Sequence, residues 1–98
     1  MTFFTSVEQD KFVELALKFS QRVKKAKSVS SAVSFALQSF TYCRLAFPFQ
    51  NNHIKSKARK AYKMSTLMAL RKFFEKKAAK SLFFILMRAN EKTFPIFK

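Results

Sequence analysis

Cys43, His53 and the carboxylates Glu8, Asp10, Glu14, Glu75 and Glu91 are the side chains of this 98-residue chain to weigh first as thiol nucleophile, imidazole or carboxylate acid–base, or metal ligand, with only Cys43 and His53 as soft ligands. A zinc site needs three or four such groups at ligand spacing. Cys43 has no second thiol, so neither an internal disulfide nor a cysteine-based zinc site can form. A reducing compartment or simple burial fits it. His53 ends the polar turn "PFQNNH" with no Cys, His or carboxylate at ligand spacing, and reads as a solvated loop residue. Glu8, Asp10 and Glu14 cluster beside no histidine and in a lysine-containing segment, the pattern of capping and ion pairing rather than of an acid–base pair. Glycine is absent, which removes phosphate-cradling loops, dinucleotide turns and nucleophile elbows together. The expectation is a protein without catalytic activity, cofactor, metal or small-molecule substrate.

The chemistry that remains is electrostatic. Lys and Arg number 20 against 5 Asp and Glu, a net charge of +15. A fold carrying that charge repels itself and is best tolerated beside a polyanion, nucleic acid or anionic lipid headgroups being the common two. The run "KSKARKAYK" sets Lys55, Lys57, Arg59, Lys60 and Lys63 around Tyr62. Cations at this density suit phosphate contacts, and an interleaved aromatic can stack on a base. Lys72, Lys76, Lys77 and Lys80 extend the segment, and across residues 55–80 only Glu75 opposes the cations. The plainer alternative is a solvated basic face with Tyr62 in the core.

Phenylalanine pairs interrupt these lysines in residues 72–87, "KFFEKKAAKSLFFILM". At about 100° per residue, Phe74, Ala78, Leu82 and Ile85 share a core-facing side, whereas Phe83 and Met87 point the opposite way, onto the face of Lys72, Lys76 and Lys80. A segment apolar on all sides, in a chain too short to cover it, calls for a partner. Phe83, Phe84, Met87, Phe94 and Phe97 are therefore expected at a protein interface. The alternative is that the tail, with Phe94, Ile96 and Phe97, folds back over this end.

Helices must position these groups. Thr5-x-x-Glu8 and Ser6-x-x-Gln9 are both capping-box patterns, so a helix is expected over about 6–27, with Phe12, Ala16, Phe19, Val23 and Ala26 as its apolar seam. Its acids come early and its lysines late, which suits the helix dipole. A second helix over 28–47 carries one charge, Arg44, and a seam of Val29, Val33, Ala36, Phe40, Cys43 and Phe47. So little charge implies enclosure by other elements. Its uncharged part, residues 28–43, reaches only about 24 Å, short of the ~30 Å hydrocarbon core of a bilayer. Pro48 ends it. A third helix over 54–90, about 50 Å if unbroken, meets no Pro or Gly and places Leu67, Leu70, Phe74, Ala78, Leu82, Ile85 and Ala89 on its core side. Residues 91–98 form a tail, extended around Pro95. The fold expected is all-α, a single small domain built as a three-helix bundle with one long C-terminal helix.

In its Lys/Ala/Tyr spacing, "IKSKARKAYKMSTLMALRKF" (residues 54–73) resembles the basic first helix of the small three-helix protein of the bacterial small ribosomal subunit. The resemblance stops there, because that family's long second half has no counterpart here. The chain also resembles the short, basic, three-helical Leu-Tyr-Arg family of mitochondrial accessory proteins in its "FP" and "RKAY", but lacks the defining tripeptide. No secretory signal is visible, and "MTFFTSVEQDKF" lacks the basic start of a mitochondrial presequence. The functional expectation is a structural component of a large assembly, an organellar (mitochondrial) ribosome first, binding rRNA phosphates through the basic helix and a neighbouring protein through the Phe-rich end. The alternative is an accessory subunit of a mitochondrial membrane complex, its lysines facing anionic lipid.

Overall fold

Thr5 opens the first helix with a complete capping box: its Oγ1 accepts from the Glu8 backbone N–H at 3.2 Å, and the Glu8 carboxylate accepts from the Thr5 N–H at 3.2 Å. The computed structural model describes residues 4–76 and 80–97. Helix α1 spans Ser6–Lys25, α2 Val29–Ala46, α3 Asn52–Lys76 and α4 Lys80–Thr93, followed by a 3-10 turn, Phe94–Phe97. Ser28 caps α2 through Ser31 N–H (3.1 Å), and Asn51 Oδ1 accepts from Ile54 N–H (2.9 Å) at the head of α3. The second capping-box candidate does other work. Gln9 is buried; its Nε2 donates to the Pro48 carbonyl and its Oε1 accepts from Gln50 N–H at 2.9 Å, which ties the α2–α3 turn to α1.

Neighbouring helices run antiparallel. Phe19 stacks near Phe35 and Phe12 near Tyr42 between α1 and α2. Phe40 meets Tyr62 between α2 and α3, and Phe73 meets Phe83 between α3 and α4. The all-α small bundle is thus as the sequence implies, and α2, the helix of least charge, packs against α1, α3 and α4. The 54–90 span, expected as one helix, is divided. Helix α3 ends at Lys76, and α4 returns alongside it, bringing Asn90 to Thr66. A straight continuation would leave Leu86 in water; folded back, Leu86 is fully buried among Val33, Phe73 and Ala69, which stabilises by about 1.5–3 kcal/mol. The tail likewise closes into the 3-10 turn instead of staying extended, and Phe97 lies on Tyr62 and Phe49.

Small residues make much of the helix-to-helix contact, alongside the buried Phe40, Ile54, Phe73 and Leu86. Ala16 and Ser20 of α1, Ala32, Ala36, Ser39, Cys43 and Ala46 of α2, and Ala58, Ala61, Ser65 and Ala69 of α3 are all buried. Short side chains let helix axes approach closely. The backbones are near enough for Ser39 Oγ to donate to the Ala16 carbonyl (2.9 Å) and for Cys43 Sγ to reach the Ala58 carbonyl (3.6 Å). This seam also corrects the phase read for the third helix. The buried stripe is Ala61, Ser65, Ala69 and Phe73, at steps of four; Phe74 is 82% exposed and Leu67 61% exposed. Leu70, Leu82 and Ala89 are half-buried against the core, Ile85 is exposed, and Ala78 lies outside the described residues. Phe47, expected in the seam of α2, is also exposed.

Candidate functional site

The cations read from the sequence fall into three structural situations. Lys57 is already neutralised: its Nζ lies 3.0 Å from Asp10 Oδ1 and 2.7 Å from Glu14 Oε1. Those two carboxylates raise its pKa, so it stays charged but committed. Lys72 stands 3.9 Å from Glu75, and Arg59 Nη2 donates to the Phe97 carbonyl at 3.2 Å. Lys60, Lys63 and Lys80 are exposed and Lys55 is half-buried; none of the four is ion-paired within the described residues. The side chain of Lys76 and all of Lys77 lie outside the described residues.

Tyr62 does not present a free ring to a base. It is half-buried between Phe40 and Phe97, with ring centroids 5.1 and 5.0 Å away, and burial raises its phenol pKa. The ring packs at the margin of the core between α2 and α3, the place given to it by the plainer of the two sequence readings. The same packing sets the half-buried Phe97 ring against Tyr62 and Phe49.

Lysines outside the run at residues 55–80 complete the basic surface. A cleft of about 690 Å³ between α1 and α3 is lined by Lys11, Lys18 and Lys60 over Leu15, Leu17 and Met64. The carboxylate in its lining, Glu14, is held by Lys57. The spacing of Lys11 and Lys18, seven residues apart on α1, was legible; that α1 sets them beside Lys60 was not, because it depends on the pairing of α1 with α3. Farther along α3, the exposed stripe Lys60, Lys63, Leu67, Arg71 and Phe74 mixes charge with large apolar groups.

The Phe-rich end remains largely uncovered. Phe84 is 66% exposed, and Ile85, Met87 and Phe94 are exposed as well. Phe83 is 38% exposed, with its ring set edge-on to Phe73 at 5.8 Å and Phe84 at 6.3 Å. Phe97 of the tail lies on Tyr62 and Phe49.

The residues suited to chemistry stay apart. Cys43 is buried under α3 and its thiol pKa is pushed up to about 12 by desolvation, whereas His53 is exposed at the start of α3. Among the described residues no three of His, Cys, Asp and Glu gather as metal ligands, and no helix is long and apolar enough to cross a membrane. Comparison with protein-family models, curated proteins and solved structures finds no match to this chain.

Proposed function

We propose that this chain is a non-enzymatic structural component of a large ribonucleoprotein, an organellar (mitochondrial) ribosome in the first instance. The α1–α3 face takes RNA phosphates and the Phe-rich end of α4 takes a neighbouring protein. The observation that carries the reading is the lysine-lined cleft: Lys11, Lys18 and Lys60 converge on it from two helices, and the acid in its lining is already paired. Lysines that neutralise phosphates displace the counterions condensed on the RNA, so affinity for RNA falls steeply with salt.

The test is the salt dependence of binding to an RNA oligonucleotide. Replacing Lys11, Lys18, Lys60 and Lys63 with Gln should reduce the log–log slope by roughly one for each of these lysines that meets a phosphate. Lys57→Gln should weaken binding by a different route, because it frees Asp10 and Glu14 beside the cleft without removing a phosphate contact. An unaltered slope in the four-lysine variant removes this face from the interface.

A second reading, an accessory subunit of a mitochondrial membrane complex resting on anionic lipid, is favoured by the stripe of Lys60, Lys63, Leu67, Arg71 and Phe74. Basic and large apolar groups together on one helix face suit a headgroup layer. Tighter binding to anionic vesicles than to RNA at equal salt, lost in Phe74→Ser, selects this reading over the first.

A further inference from the structure

Helices α2 and α4 leave a groove of about 600 Å³ between them. Both walls have helical spacing: Leu37, Phe40, Thr41 and Arg44 on α2, and steps of three and four from Ser81 to Thr93 on α4. The α4 wall runs the length of that helix, about 18 Å at 1.5 Å per residue. Phe84 and Ile85 expose apolar surface into it. Arg44 stands on one wall, Arg88 and Lys92 on the other, and no described carboxylate lines either; Glu91 is on α4 but outside the lining.

We infer that this groove seats an acidic amphipathic helix of a neighbouring protein. Two helix faces side by side offer ridges into which a third helix packs, its anchors recurring at three and four residues. Cations on both walls, flanking an apolar floor, match a helix with one apolar stripe and carboxylates along both flanks. A single anionic headgroup would engage one wall and leave the opposite cation without a partner. The inference rests on the protein-contact half of the function proposed above, and it names what that contact is made of.

The probe is a fluorescent synthetic helix of about 18 residues, long enough to be helical when bound, with Leu at steps of three and four and Glu on both flanks. It is titrated into the intact protein at about 0.15 M salt, where long-range attraction to a basic protein is largely screened. A peptide of the same composition in scrambled order is the control. The ordered peptide should bind at least about tenfold more tightly than the scrambled one, as expected where anchors and not bulk charge dominate. Arg44→Gln and Arg88→Gln, both exposed, should each weaken it several-fold, while Lys60→Gln on the other face should not. Equal binding of the two peptides, or indifference to both arginines, overturns the inference. So does a loss of RNA affinity in the arginine variants with peptide binding intact, which assigns the groove to nucleic acid. The broader reading fails separately: retained peptide binding beside a flat salt dependence for RNA supports the groove and sinks only the RNA interface.

Discussion

Cys43 shows how far burial alone decides the chemistry of a residue. Its Sγ sits against the Ala58 carbonyl, fully enclosed, and desolvation raises its pKa from an ordinary 9.0 to about 12. The reactive species of a cysteine is the thiolate, so this thiol is inert in the fold. At pH 8 a disulfide reagent such as dithionitrobenzoate should modify the denatured chain at once and the native protein only as fast as it opens; rapid native labelling would contradict the packing. The sign of the pH effect follows from the same shift. In the unfolded chain the thiol ionises near 9.0, and in the fold it holds its proton to about 12. The stabilisation it confers is complete below the lower value and is lost as pH rises toward the upper one. Cys43→Ala removes that component, so its unfolding free energy should fall less steeply than the wild type's between those limits, as denaturant titrations at stepped pH would show.

At the scale of the element, the decisive fact about α3 is its phase. Phe73 and Phe74 are adjacent, about 100° apart on a helix, and equally apolar, so the pair alone permits either one inside. Ala61, Ser65 and Ala69 choose, because only that stripe lets α3 approach α1 and α2 closely, and Phe73 continues it. Phe73→Ala should therefore cost about 3–5 kcal/mol of stability, the usual loss at a buried aromatic. Phe74→Ala, at an exposed position, should stay within about 0.5 kcal/mol. Chemical denaturation of both variants decides it, and the reverse order would mean the helix is rotated. The same contrast explains what could be read in advance. The Thr5–Glu8 cap, the stop at Pro48 and the enclosure of the nearly uncharged α2 depend on neighbours in sequence or on composition, and were legible. The inward turn of Tyr62 and Phe97, the return of α4 and the lysine cleft depend on which helix lies beside which. Size misleads here: Leu67 and Phe74 are large, apolar and exposed, and the contact is formed by Ala61, Ser65 and Ala69.

The whole molecule sets an interior rich in alanine and serine against a surface that keeps several large apolar groups. It exposes 6495 Å² at a mass of 11.5 kDa, about a tenth more than the ~5,800 Å² expected of a monomer of that mass. Part of the excess is Leu67, Phe74, Phe84 and Ile85, which the described elements leave exposed. With a charge of +15 it is also a surface that repels its own copies. Large exposed apolar groups on a self-repelling surface are most simply satisfied by partners of other composition, which is the condition of a subunit held in an assembly. Phe84 separates this from ordinary surface variation, since its ring meets Phe83 but is otherwise mostly in water. Phe84→Asp should leave the free protein's unfolding within about 0.5 kcal/mol of wild type. In cells, the tagged variant should sediment as free protein instead of with large complexes, because a carboxylate cannot enter a dry contact unpaired. Phe83→Asp is the weaker probe, since its ring also supports Phe73 and its loss should cost stability as well. Two outcomes would undo the subunit reading: Phe84→Asp destabilising the isolated protein as much as Phe73→Ala does, which makes this end internal core, or Phe84→Asp co-sedimenting with large complexes as the wild type does.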